Sequence, residues 1–180
     1  GNWTFSPTTA LTDGSHSLTA TATDATGSVS PATAAFTLTV DTAAPATPVI
    51  GTVTDDVAPV TGAITAGSST NDATPTLTGT AEANSTINVF DGTTLLGTTT
   101  ADASGNWTFT PSTPLTDGSH SLTATATDAA GNVSPASSAF TLTVDTAAPA
   151  TPVISTVTDD VAPVTGAIAA GSSTNDANPT

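Results

Sequence analysis

Apolar and small polar residues alternate along most of the chain with a period of two, and the polar partner is threonine far more often than a charge. That alternation predicts half-buried β-strands, because successive side chains of a strand point to opposite faces. Strands are expected near Thr47–Thr54, Thr76–Ala81, Thr86–Phe90, Thr94–Thr100, Asn106–Thr110, Ser119–Thr127 and Ala139–Val144. Asp-Gly and Gly-Asn pairs stand between several of these runs, at points where a tight reversal needs residues that tolerate positive φ. The inward positions would be Ile50, Val53, Leu77, Ile87, Val89, Trp107, Phe109, Leu122, Ala124, Phe140, Leu142 and Val144. They make a small core padded with alanine.

The pattern repeats. The segment Gly1–Phe5 returns as Gly105–Phe109, and at that offset of 104 residues 66 of the 76 alignable positions are identical. A period of this length is too long for one coil of a solenoid and suits a whole β-sandwich, which takes about 100 residues. The run Val40–Pro48, repeated at Val144–Pro152, reads as the seam, since two prolines among small residues make a short stiff connection. On this phase residues 1–44 are the C-terminal part of one module, 45–146 a complete module and 147–180 the N-terminal part of a next one. The expected fold class is therefore all-β, with tandem β-sandwich modules of about 104 residues in an extended rod.

Composition narrows the function. The chain of 180 residues has 15 acidic side chains, no lysine and no arginine, which excludes readers that neutralise nucleic-acid phosphates with cations. Ser and Thr fill 62 positions and charged residues only 8%, which is not the highly charged, apolar-poor signature of disorder. Cysteine is absent, so disulfides, thiolate zinc sites and cysteine nucleophiles are excluded. No apolar run reaches the length of a membrane span, and membrane insertion is not expected.

The acids group by topology. Consecutive antiparallel strands place their loops at alternate ends, so the linker before a module shares an end with the loops after the second, fourth and sixth strands. At the first junction this gathers Asp41 of the linker, Asp13 of the preceding module, and Glu82, Asp102 and Asp128 of the following one, with Asn132 adding an amide oxygen. Carboxylates collected without a cation repel one another unless an ion screens them. Oxygen-only ligands suit calcium, with six to eight oxygens in flexible geometry. The metal reading rests chiefly on Asp41, Glu82 and Asp128. A second group is Asp55, Asp56 and Asp72 in the long connection after the first strand, near Asp91, recurring as Asp159, Asp160 and Asp176; Asp145 is the counterpart of Asp41. The competing reading is that these aspartates cap turns and keep the array soluble.

Other features read as structural. Asp13 and Asp117 precede glycine and are explained as turn formers. His16 and His120 share the inner face with Leu18 and Leu122, as satisfied structural histidines rather than bases. Trp107 and Phe109 alternate with Thr108 as core, while Phe90 points outward. The sequons at Asn84, Asn106 and Asn132 are expected by chance where Ser and Thr are so frequent. No phosphate loop, nucleophile elbow or histidine metal motif appears, and the chain is not expected to be an enzyme.

Thr74–Gly92 (TPTLTGTAEANSTINVFDG), Gly105–Pro135 (GNWTFTPSTPLTDGSHSLTATATDAAGNVSP) and the seam VDTAAPATP together resemble the bacterial Ig-like tandem repeats of giant biofilm-associated, Bap-type surface adhesins. The resemblance covers essentially the whole chain. It implies an immunoglobulin-like sandwich, type I secretion, display on a Gram-negative surface, and calcium-stiffened stalks that support cell adhesion and biofilm formation. Carried over, the junctional calcium ligands fall on Asp41, Glu82 of TAEANS and Asp128 of TDAAGN. The partners would be neighbouring identical modules of the same chain. In an alternative reading each module is itself a binding unit, for matrix polysaccharide or for like repeats on other cells.

Overall fold

The computed structural model describes residues 1–163 and 165–180, which fall into two compact units, Gly1–Thr146 and Ala147–Thr180.

In the first unit, residues 45–146 fold as two β-sheets. The strands of the complete module are β3 (Val49–Asp55), β4 (Gly62–Ala63), β5 (Ser69–Thr70), β6 (Thr76–Thr80), β7 (Thr86–Asp91), β8 (Thr94–Thr100), β9 (Asn106–Phe109), β10 (Gly118–Thr127) and β11 (Phe140–Val144); residues 1–44 contribute β1 (Gly14–Leu18) and β2 (Phe36–Val40). One sheet has the order β4-β3-β6-β9 and the other β5-β11-β10-β7-β8. All seven expected strands are present, with ends within two residues of the alternation. The short strands β4 and β5 were not expected. They are two residues each and lie in the connection between β3 and β6, where β5 runs parallel to β11.

The burial pattern of β10 shows why the sequence folds this way. From His120 to Ala126 every second residue is buried and the intervening Ser and Thr are half-exposed, so one edge-on stripe of the strand enters the core. Val53, Leu77, Ile87, Val89, Trp107, Phe109, Leu122, Ala124, Leu142 and Val144 are buried as expected, while Ile50 and Phe140 are partly buried against them. Ala101, Leu115 and Ala126 join the core, Leu115 from the connection between β9 and β10. Trp107 needs its neighbour to be glycine: a Cβ on Gly79 would lie 2.0 Å from the Val49 carbonyl oxygen and 2.5 Å from the indole ring.

Residues 1–44 repeat the second half of this module. β1 pairs with β2 from Gly14↔Val40 to Leu18↔Phe36, the register that β10 and β11 show from Gly118↔Val144 to Leu122↔Phe140. Without the β3, β6 and β7 layer in front of them, Trp3 is 72% exposed, against 2% for Trp107. The second unit repeats the first half. There β12 (Thr158–Asp159) pairs with β13 (Gly166–Ala167) as β3 pairs with β4. Among the described residues no helix is long and apolar enough to cross a membrane.

Candidate functional site

The acidic residues at the junction end lie where strand alternation places them. The loop after β6 and the loop after β8 meet, with the Asn84 amide donating to the carbonyls of Ala101 (3.2 Å) and Asp102 (3.3 Å). The loop after β10 reaches the linker, for Asn132 Nδ2 donates to the Asp41 carbonyl oxygen at 3.0 Å. Asp41, Glu82, Asp102, Asp128 and Asn132 thus share one end of the module.

Their side chains are engaged locally. Asp128 Oδ1 accepts from the Ala130 and Asn132 amides, each at 2.9 Å, and its Oδ2 accepts from Asn132 Nδ2 at 2.8 Å. These bonds, led by the one from the Asn132 side chain, hold the Asp128 carboxyl below the usual range despite some desolvation. Asp102 caps its own turn in the same way, through the Ser104 and Asn106 amides at 2.8 Å. Its pKa is lowered mainly by the Asn106 amide. Asp24, the counterpart of Asp128 in residues 1–44, is lowered first by the Thr26 hydroxyl. Asp41 Oδ1 accepts from the Ala43 amide at 3.0 Å, and Glu82 is exposed. Among the described residues no three acidic or histidine side chains converge closely enough to hold a metal ion as they stand.

Asp13 and Asp117 do more than form turns. The Asp13 carboxylate accepts from the Thr42 amide (3.1 Å) and hydroxyl (3.0 Å), and Asp117 accepts from the Thr146 amide (3.0 Å) and hydroxyl (2.9 Å). Local Asp-Gly reading missed this because the partner lies 29 residues away in sequence. The repeat itself carried the signal: Asp and Thr recur together at the same spacing in both copies.

The second group of acids divides. Asp55 and Asp72 are buried and are linked through Thr70, whose hydroxyl donates to Asp55 Oδ2 at 2.5 Å and accepts from the Asp72 amide at 3.1 Å. Asp55 also accepts from the Val57 amide at 2.8 Å, and Asp72 from the Thr74 amide at 2.8 Å and the Asp56 amide at 3.3 Å. Asp56 itself is exposed. In the second unit Asp159, Thr174 and Asp176 repeat the arrangement. These buried carboxylates shape the connection between the first two long strands. Asp145 is exposed, and its amide donates to the Thr70 carbonyl at 2.9 Å.

Asp91 leaves that group and takes His120. His120 Nδ1 contacts Asp91 Oδ2 at 2.7 Å, and Nε2 donates to the Thr116 carbonyl at 2.7 Å. Asp91 Oδ1 accepts from the Ser121 amide at 2.9 Å. Burial is the largest influence on His120 and pulls its pKa down, but the bonds to Asp91 and Thr116 and the Asp91 charge together raise it above the usual value. Phe90 is half-buried opposite Leu95, which is 52% exposed.

Two packed sheets of this order define an immunoglobulin-like sandwich, and residues 1–44 repeat the strand pairing of its second half. The chain matches the bacterial Ig-like domain family over residues 1–42 and 47–146, and it belongs to that family. Among solved structures it is similar to a chain described as "Biofilm associated protein - BSP domain", at 25% identity and a TM-score of 0.34, over 74% of this chain and 26% of that one. The chain therefore spans about a quarter of that protein's length. No curated protein matches the sequence.

Proposed function

We propose that the chain is a stretch of stalk repeats of a large secreted bacterial surface adhesin, displayed outside the cell in support of adhesion and biofilm formation, with calcium stiffening the module junctions. The observation that carries this reading is the seating of the linker: Asp41 is bonded through its carbonyl to Asn132 of the following module, while its neighbour Thr42 is bonded to Asp13 of the preceding one. A connector held from both sides transmits orientation from module to module, which is what a spacer requires. The near-identity of the repeats and their conserved strand register support the same reading, since a spacer gains length by copying one module.

The calcium part rests on the chemistry of the donors. The junction end offers oxygen donors, and Asp41 Oδ1 and Asp128 Oδ2, which accept one hydrogen bond each, keep a second lone pair. Asp41, Glu82 and Asp128 would hold the ion, with Asp102, Asn132 and Asp13 around them, after rotation of the exposed side chains. The ion would neutralise carboxylates that no lysine or arginine can pair. Because a ligand that binds only the folded state raises its stability, thermal unfolding should shift upward from EDTA to millimolar calcium. Superimposable curves would remove calcium from the account.

A further inference from the structure

We propose that β8, the open edge of the five-stranded sheet, pairs antiparallel with β8 of a second copy of this chain, joining two chains side by side. The setting rests on the stalk reading, but the contact is between chains and needs no ion.

β8 (Thr94–Thr100) ends its sheet, and β7 is its neighbour there. Ala101, just beyond it, turns both backbone groups to the β7 side: its amide donates to the Ser85 carbonyl at 3.0 Å, and its carbonyl accepts from the Asn84 amide at 3.2 Å. Backbone groups alternate in direction along a strand, so Thr99 and Gly97 turn the same way and the amides and carbonyls of Thr98 and Thr100 face outward. Both threonines are exposed. Gly97 rests on the core, for a Cβ there would lie 2.9 Å from the Phe109 ring.

The other edges offer less. On β9 the Asn106 amide and carbonyl are both taken by Asp102, which leaves Thr108. β4 and β5 have two residues each. Natural edges are blunted by lysine, proline or inward-pointing charge, and residues 94–100 contain none of these. The register irregularity in the β7–β8 pair passes over Leu96, so the regular run begins at Gly97.

Charge selects the partner. A chain with 15 acids and no lysine or arginine repels its own copies wherever acids meet, and residues 92–101 carry no acid. Outward groups two residues apart are also complementary to themselves under a two-fold axis. With Thr98 of each copy opposite Thr100 of the other, four backbone hydrogen bonds form around a central Thr99 pair, flanked by favourable threonine pairs. In that register the two Asp102 residues stand six positions apart, about 20 Å, beyond the screening length of about 8 Å at physiological salt. Four bonds make a weak contact, and an array that presents this edge every 104 residues multiplies it.

Sedimentation of the full chain at millimolar concentration should show a monomer–dimer equilibrium. Its dissociation constant should rise at least about tenfold in Thr98→Pro, where each copy loses an outward amide. Thr108→Pro, which removes the outward amide of β9, should leave it unchanged and controls for a proline at an edge. Amide exchange should show Thr99 protected at every concentration, and Thr98 and Thr100 protected only as the dimer forms. Should Thr98→Pro fail to fold, cross-linking decides: a mixture of Thr98→Cys and Thr100→Cys chains should form disulfides at least about fivefold faster than either chain alone, because only unlike cysteines stand within bridging distance. A chain monomeric at millimolar concentration, equal cross-linking rates, or association that survives Thr98→Pro, as contact through the exposed Trp3 and Phe5 would, overturns the proposal. None of these outcomes touches the stalk reading, which scattering tests separately.

Discussion

His120 and Asp91 face each other at 2.7 Å across the β10–β7 interface, each also bonded to backbone, His120 to Thr116 and Asp91 to Ser121. The pair fastens the start of β10 to the end of β7 and to the loop that carries Asp117. Because the His120 pKa is raised on folding, its contribution to stability is complete below the ordinary value of about 6.5 and is lost as pH rises through the folded value. The melting temperature should therefore fall from pH 6 toward pH 8 more steeply in the native chain than in His120→Asn. At pH 6 that variant should lose roughly 1–3 kcal/mol, since Asp91 is left short of a partner. Thermal unfolding at fixed ionic strength checks both; equal pH slopes would show that His120 does not titrate with folding.

Asp72 has no exposed surface and organises the connection between β3 and β6. Asp72→Ala should cost about 2–4 kcal/mol, by leaving the Thr74 and Asp56 amides without acceptors inside the fold. Thr70→Val, which removes the hydroxyl that joins the Asp55 carboxylate to the Asp72 backbone amide, should cost about 1–2 kcal/mol. Chemical denaturation reports the loss, and neutrality in both variants would mean that water replaces these bonds readily.

The strand plan was legible because alternation with threonine is unbroken over runs such as Ser119–Thr127, where residues 118–127 form β10. Leu115 was not, since it enters the core from a loop where no period announces it. The ends holding the acids followed from strand alternation alone, and the Asn132 contact with Asp41 joins the expected loop to the linker. What alternation does not encode is the aim of each side chain. Asp91 was grouped with Asp55 and Asp72 by its loop, yet it turns to His120, because β7 and β10 are neighbours in the sheet. Asp117 was explained by the glycine beside it, and its partner Thr146 becomes visible only once β10 and β11 are paired.

Gly79→Ala should destabilise the complete module by about 1–3 kcal/mol or more through overpacking, as its Cβ meets the Val49 carbonyl and the Trp107 ring. Trp107 fluorescence should also shift to the red as the indole is pushed from its place. A variant with native stability and an unshifted spectrum would mean that β3 can give way at no cost.

Asp41→Asn keeps size and hydrogen-bonding capacity but removes one charge from the junction. It should weaken calcium binding by the full chain while its melting in EDTA stays within about 0.5 kcal/mol of native, as for surface changes in general. Asp128→Asn should weaken calcium binding too, and it should also reduce the stability lost as pH falls through the depressed carboxylate value below about 3.9. Calcium titration calorimetry and acid unfolding separate the two variants. If Asp41→Asn binds calcium as the native chain does, the linker aspartate is a solvated surface charge.

The most direct test of a calcium-stiffened stalk is small-angle scattering from a chain of several consecutive 104-residue repeats, recorded in calcium and in EDTA. The longer strands of the module, seven residues in β3 and β8 and ten in β10, at about 3.4 Å each, plus end loops, give an advance of roughly 40 Å per module. The account predicts a maximum dimension that grows by that increment with each repeat in calcium, and that shortens and broadens on chelation. A compact particle in calcium would contradict the stalk, and identical extended profiles in both conditions would contradict the calcium joint.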